Sequence, residues 1–329
     1  MKTLVYDVAA SESGALGVLE DFYLRAVEDI DNEYVFIVST PVFAETSNVR
    51  VCRFPEVKNG WLSRLRFDYF SAPKLVKDEM PDTVLSLQNM GIPRISVPQT
   101  IYEHNCIFKP FTEYRFSLFK ETGLWVRQNI IGYLTIRSLR KADNVIVQTD
   151  WMKRRCVEKL GIHEECIKVK PPILKNVPEV KYAASKPFTF IYPANAFKYK
   201  NHSVILEACG ELDESFFSHT RILFTLDSKP ANVPLSEKLN KFIECVGWLD
   251  RGALYEIYSH SCILFTSMLE SYPLPLYEAK VIGCPIIVPD LEYAHEILDD
   301  YERVFFFNCD DSSSLAATLL EVKERYEVQ

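Results

Sequence analysis

The sequence predicts an α/β protein of two Rossmann-like domains with parallel sheets, facing a cleft. Three observations carry this. Short β-branched or aromatic runs alternate with helical stretches along the 329 residues. Such alternation implies right-handed βαβ units. The alternation stops once, between Lys170 and Lys186, where KPPILKNVPEVKYAASK has three prolines and neither a helical nor a strand period. It then restarts at once. The chain divides accordingly into an N-terminal domain over 1–171, a linker over 172–187 and a C-terminal domain over 188–329.

The expected strands of the first series are Thr3–Asp7, Tyr34–Val38, Val51–Phe54, Thr83–Leu87, Ile95–Pro98 and Asn144–Gln148. Helices are expected at Leu16–Asp29, Trp61–Lys77 and Asp150–Leu160. In the second series the strands are Phe188–Tyr192, Arg221–Thr225, Glu244–Gly247, Ile263–Thr266, Pro285–Val288 and Val304–Phe307. The helices between and after them are Ser203–Leu212, Arg251–Ser259, Leu274–Val281, Tyr293–Leu298 and Ser313–Tyr326. In open parallel sheets ligands bind outside the carboxyl ends of the strands. Functional residues are therefore sought in the loops that follow strands.

Composition narrows the class. Hydrophobic residues make up 48% and charged residues 25%, the balance of a soluble globular chain. No apolar run approaches the roughly 20 residues of a membrane span, and the start MKTLVYD reads as a first strand rather than a signal peptide. The nine cysteines form no C-x-x-C, and several sit inside apolar runs, as a reducing cytosol would allow. The net charge of −8 is uneven: 108–160 carries eleven basic against five acidic residues. One face suited to an anionic partner is expected.

The most informative stretch is Ser267-Met268-Leu269-Glu270-Ser271-Tyr272-Pro273-Leu274-Pro275-Leu276-Tyr277-Glu278-Ala279. It begins at a strand's carboxyl end, turns, and enters a helix. A helix N-terminus suits a phosphate, because its first N–H groups lack intrahelical partners. Carboxylates on either side accept hydrogen bonds from vicinal hydroxyls. Glu270 and Glu278 around one phosphate seat thus fit a nucleotide sugar, with Ser271, Tyr272 and Leu274 lining the donor.

This stretch resembles the E-x7-E signature of the retaining glycosyltransferases of family 4, which have the GT-B fold. The surroundings agree: Gly247-Trp248-Leu249 before a helix, Ser267, Ala279, Gly283-Cys284-Pro285-Ile286-Ile287-Val288, and His295-Glu296-Ile297 follow the family's order. Val145-Ile146-Val147-Gln148-Thr149-Asp150 resembles its last N-domain strand and helix. The resemblance implies that Glu270 contacts the donor sugar and Glu278 the ribose. Pro273 stands where the family usually has glycine, and proline has no N–H to donate.

The loop Tyr192-Pro193-Ala194-Asn195-Ala196-Phe197-Lys198-Tyr199-Lys200-Asn201-His202 follows the first strand of the second series. By the same resemblance Lys200 is the lysine at the donor diphosphate, where an ammonium stabilises the departing anion. The arginine that often precedes it is replaced here by Ala194 or Asn195. Asn195 and Lys198 are kept as donor-side residues, Lys198 as a substitute cation. In the first domain, Ser11-Glu12-Ser13-Gly14-Ala15-Leu16-Gly17 resembles the family's glycine-containing loop and nominates Gly14. It is not G-x-G-x-x-G, which argues against a nicotinamide dehydrogenase. His104, in Gln99-Thr100-Ile101-Tyr102-Glu103-His104-Asn105, occupies the place of a family histidine near the donor sugar, with Glu103 and Asn105 as alternative working residues.

The acid pair of Asp29-Ile30-Asp31 lies before a strand, the wrong end for a metal site, and Asp310-Asp311 is read as a helix cap. No metal and no cofactor are expected; the nucleoside-diphosphate sugar is a substrate. The basic, aromatic stretches 61–70 and 108–139 suit a peripheral anionic membrane surface, or two core helices with a solvated basic face. The expected function is retaining transfer of a sugar to a saccharide or lipid-linked acceptor in bacterial polysaccharide biosynthesis. The expected location is cytoplasmic, at the inner face of the plasma membrane, with no nucleic acid partner. The alternatives are a non-catalytic binding protein of the same fold and a sugar-nucleotide epimerase.

Overall fold

The structure is a computed structural model that describes residues 1–11, 13–108, 111–172, 177–229 and 241–327; the side chain of Ser13 is left aside. Residues 173–176 of the expected linker, together with Glu12 and Lys109, lie outside the described residues. The chain forms two compact units, Met1–Ile173 and Leu174–Gln329.

In the first unit the elements run β1 (Lys2–Asp7), α1 (Ser13–Glu28), β2 (Glu33–Val38), β3 (Val49–Arg53), α2 (Trp61–Arg66), α3 (Ala72–Glu79), β4 (Thr83–Ser86), β5 (Gln99–Glu103), α4 (Thr122–Val126), α5 (Gly132–Leu139), β6 (Asn144–Val147), α6 (Asp150–Leu160) and β7 (Ile167–Val169). The described strands form one seven-stranded sheet in the order β3-β2-β1-β4-β5-β6-β7. Every pairing in it is parallel. One core forms where Leu4, Tyr6, Val35 and Ile37 meet Phe67, Ala72 and Val76; the other forms where Val5, Phe36 and Val38 meet Leu19 and Ala26 of α1. This is the period-2 alternation of a sheet covered on both faces.

The second unit runs β8 (Phe188–Tyr192), α7 (His202–Glu211), α8 (Glu214–Phe217), β9 (Thr220–Phe224), β10 (Ile243–Cys245), α9 (Arg251–Tyr258), β11 (Ser261–Leu264), α10 (Leu274–Ile282), β12 (Ile286–Pro289), α11 (Glu292–Leu298), β13 (Val304–Phe307) and α12 (Ser312–Tyr326). Its described strands form a six-stranded sheet ordered β10-β9-β8-β11-β12-β13, also parallel. In both units the order reverses beside the first strand. The switch points therefore fall between β1 and β4, and between β8 and β11. These are the places where a doubly wound sheet opens a crevice for a ligand.

Some expectations need correction. The strand expected at Ile95–Pro98 is instead β5, Gln99–Glu103. Pro98 cannot donate to a ladder, and only its carbonyl joins, accepting from the Val84 N–H at 2.9 Å. Ile95 and Val97 pack into the core from the approach to β5. The three-residue β7 passes unnoticed in sequence because Ile-Lys-Val is too short to show a period. The helical stretch 122–139 has two glycines and many β-branched residues, a composition of low helix propensity. Tertiary packing overrides it: Gly132 lies so close to Phe108 that any Cβ there would collide with that ring's stem. The single helix expected at Trp61–Lys77 is continuous but widens into a π-helical turn over Phe67–Ser71. The missing N–H of Pro73 removes one i→i−4 bond there.

Candidate functional site

At the switch point of the second unit, two loops are tied to each other. The loop after β8 ends in a single 3-10 turn, Lys198–Lys200. The carbonyl of Lys200 accepts from the Tyr192 hydroxyl at 2.6 Å and from the Thr266 hydroxyl at 3.0 Å. The Tyr199 carbonyl accepts from the Met268 N–H at 2.8 Å. Tyr192 ends β8, while Thr266 and Met268 follow β11, so neighbouring strands grip one turn from both sides. Asn201 takes the left-handed conformation, with φ of 54°, as the chain swings from this turn into α7. Asparagine tolerates that region better than most residues.

The consequence is an ion pair. The Lys200 ammonium donates to a carboxylate oxygen of Glu270. Both side chains are mostly buried. The ammonium also lies 5.4 Å from the Tyr199 ring centroid and 5.9 Å from that of Phe265. Two residues nominated on separate motifs thus meet at one point. Asn195 and Lys198 lie on the same loop and are exposed, and Asn195 Oδ1 accepts from the Phe197 N–H at 3.2 Å.

Glu278 stands in the middle of α10. It is not a solvated helix acid: it is 4% exposed and accepts from the Tyr255 hydroxyl at 3.0 Å. Burial raises its pKa, with the Tyr255 hydrogen bond and Arg251 acting against the rise. Burial, and then the Glu278 charge, push the Tyr255 phenol up to about 12. Tyr255 was not singled out in sequence; a helix tyrosine at that spacing reads as core.

The N-terminus of α10 differs from the expected phosphate seat. Pro273 and Pro275 have no N–H. The N–H of Leu274 turns back to the Tyr272 carbonyl at 3.0 Å, and that of Leu276 to the Pro273 carbonyl at 3.0 Å. The first turn of the helix therefore presents little backbone hydrogen bonding to an anion. Ser271 and Tyr272 are half-buried in the turn before it, and the Tyr272 and Tyr277 rings stack 5.7 Å apart. Behind the site, His202 is buried between the Tyr192 and Phe224 rings at 4.6 and 5.2 Å, and its Nε2 has no partner. Burial first, then the Lys200 charge, lower its pKa to about 4.

Gly14 and His104 belong to the first unit. Gly14 lies in the first turn of α1 rather than in the loop before it, and a Cβ there would meet nothing within 4 Å. His104 directly follows β5. Its N–H donates to Asn89 Oδ1 at 2.8 Å, and its Nε2 lies 3.2 Å from the Leu87 carbonyl, which requires the proton on that nitrogen. Burial lowers its pKa to about 4, so the ring is neutral at ordinary pH. Glu103 is fully buried: one oxygen accepts from the Asn105 N–H at 2.7 Å and the other has no partner. Burial raises its pKa well above the usual carboxylate range. That is the environment of a structural acid, and His104 is the more accessible residue. Asp7 closes β1 and accepts from the Ala9 and Ala10 N–H groups at 3.0 and 2.9 Å. Burial raises its pKa to about 6.

One acid of each of these pairs has a structural role. Asp29 accepts from Tyr34 and Asn32 at 2.6 and 3.0 Å, and Asp311 caps α12 by accepting from the Ser314 N–H at 3.0 Å.

The family described as "Glycosyl transferases group 1" matches residues 176–329. The likeness to that family thus covers nearly the whole of the C-terminal unit. Solved structures extend the likeness of fold over both units, and the chain has the GT-B fold. WaaG, a glycosyltransferase involved in lipopolysaccharide biosynthesis, is 14% identical, with a TM-score of 0.68 over 99% of this chain and 93% of its own. The sucrose-phosphate synthase of Thermosynechococcus elongatus is 14% identical, with a TM-score of 0.69 over 98% and 89%. HepE of Anabaena, solved with UDP-glucose, is 15% identical, with a TM-score of 0.65 over 99% and 90%. No curated protein matches the chain. Within the matched residues, the paired Lys200 and Glu270 and the buried Glu278 all fall on α10 or on the loops after β8 and β11.

Proposed function

We propose that this chain is a retaining glycosyltransferase. It moves a sugar from a nucleoside-diphosphate sugar to a saccharide or lipid-linked acceptor, in the assembly of a bacterial polysaccharide. The observation that carries the reading is the Lys200–Glu270 pair at the switch point of the second unit. Before the donor arrives, ammonium and carboxylate neutralise each other. A donor separates their tasks: the diphosphate takes Lys200, and the hydroxyls of the sugar take Glu270. Glu278, oriented by Tyr255, accepts from the ribose hydroxyls.

In this reading the chemistry rests on positioning and on stabilising the departing diphosphate rather than on a strong base. The acceptor attacks the face from which the diphosphate leaves. His104, neutral and with its Nε2 proton held by Leu87, serves as a polar group beside the donor sugar rather than as a charged acid. The reaction needs no metal, since Lys200 supplies the charge that a divalent ion would. The enzyme works in the cytoplasm, at the inner face of the plasma membrane.

One observation favours a second reading. The prolines at the start of α10 remove backbone donors that a transferase would use on a phosphate, and a binding protein of this fold could dispense with them. A panel of nucleotide sugars tests both. Release of nucleoside diphosphate that accelerates with acceptor supports the transferase. Tight binding with no turnover supports the binder, and appearance of an epimer rejects both.

A further inference from the structure

At the amino ends of the strands of the first unit, opposite its switch-point crevice, lies a cavity of about 330 Å³. The sheet forms its floor and the last turns of α1 form a wall. Three cations line it: Arg25 from α1, Lys168 from β7 and Lys170 just beyond that strand. The Arg25 guanidinium and the Lys170 ammonium lie 5.8 and 5.5 Å from the centroid of one ring, that of Phe22. Neither lysine has an ion pair among the described residues, and Arg25 has only a long contact of 3.6 Å with Asp21. The lining acid, Asp29, already accepts from Tyr34 and Asn32. Lys168 and Lys170 fall outside the basic segment 108–160, and no motif marks them in sequence.

These cations crowd one another. Burial first, then the charges of Arg25 and Lys168, lower the pKa of Lys170. Like charges gathered without acids between them cost stability, and an anion relieves that cost. The floor adds polar groups that lack partners. Thr3 is 6% exposed, yet its hydroxyl makes no hydrogen bond among the described residues. The Thr100 hydroxyl and the Asn144 amide, which line the same cavity, make none either. Buried hydroxyls ordinarily find a partner. The end of α1 does not oppose an anion, because the Ala26 and Asp29 carbonyls accept from Asn48 Nδ2 at 2.8 and 2.9 Å.

We propose that this cavity binds a small phosphate ester of the size of a sugar phosphate. Arg25, Lys168 and Lys170 take the phosphate, and Thr3, Thr100 and Asn144 hydrogen-bond the hydroxyls. A cavity of this volume suits a small molecule. Ionised donors to a phosphate form the stronger class of hydrogen bond, while neutral groups on the floor read the rest of the ligand. The site lies wholly within the first unit and does not rest on the transferase reading.

The test is titration calorimetry of the full chain with glucose-6-phosphate, with inorganic phosphate and with glucose. The ester should bind more tightly than either of the others. Lys168→Gln with Lys170→Gln should weaken it by about tenfold or more. Both lysines are exposed, so that double variant should keep the melting temperature of the unliganded chain. Thr3→Val, which keeps the shape and removes the hydroxyl, should weaken the ester by about threefold and leave inorganic phosphate unchanged. Lys200→Ala should not alter binding of the ester, which separates this cavity from the switch point of the second unit. Absence of binding by the unaltered chain at about 10 mM ester, or unchanged affinity in the lysine double variant, overturns the proposal. So does loss of binding in Lys200→Ala, which would place the phosphate in the second unit. Inorganic phosphate binding as tightly as the ester also overturns it, since the hydroxyl contacts would then contribute nothing.

Discussion

The ammonium of Lys200 and the carboxylate of Glu270 are 70 residues apart in sequence and form a mostly buried ion pair. Their loops are fixed to each other through the backbone of Lys200, so the pair is preorganised rather than assembled by a ligand.

Lys200→Ala should lower kcat by about 10²-fold or more, as expected for losing one electrostatic stabiliser of a leaving anion. It also strands the Glu270 carboxylate, so the melting temperature should fall. Lys198→Ala, at an exposed position, should do neither. Steady-state kinetics with thermal melting separate the cases, and normal turnover in a folded Lys200 variant would return the role to Lys198.

Tyr255→Phe should weaken binding of a free nucleoside diphosphate by roughly fivefold, the loss of about 1 kcal/mol from one buried hydrogen bond. Glu278→Ala should weaken it further, because it removes the acceptor itself. Titration calorimetry with nucleotide alone checks both. Unchanged affinity in a folded Glu278 variant would remove the ribose role.

His202 provides a pH prediction. Its folded pKa of about 4 lies below the unfolded value near 6.5. The unfolded state therefore binds more protons between those values. The stability tied to the neutral ring is complete above about pH 6.5 and is lost as pH falls towards 4. His202→Phe keeps the packing between Tyr192 and Phe224 and removes the proton site. It should raise the melting temperature at pH 5 by roughly 2–4 °C more than at pH 8. Equal shifts at the two pH values would show that the ring already titrates freely.

Turnover should survive EDTA. Loss of activity with recovery on adding Mg²⁺ or Mn²⁺ would contradict a reaction driven by Lys200 alone, and would require metal ligands in the complex with donor.

Much of this was legible in the chain itself. The β/α alternation predicts two parallel sheets, and the spacing from Glu270 to Glu278 places one carboxylate in a loop and the other in a helix, as observed. The pairing of Lys200 with Glu270 was not legible, because it depends on β8 and β11 being neighbours, a fact of topology and not of local pattern. Tyr255 escaped for the same reason: α9 meets α10 only in three dimensions. The boundary of β5 escaped because Ile95 and Val97 are apolar and β-branched, yet pack into the core from outside the ladder. Pro273 was visible as a departure. Its full effect needed the geometry, where the N–H groups of Leu274 and Leu276 turn back on the chain.

That closed first turn of α10 bears on selectivity. Backbone N–H groups on a rigid helix are directional and accept an anion in one pose. An ammonium on a flexible four-carbon stem attracts charge from any direction. An anion held chiefly by Lys200 is gripped by its charge more than by its shape. Different diphosphate poses, and hence donors differing in sugar, become more nearly equivalent at this point. With the roles proposed above, discrimination among them passes to Glu270 and Glu278.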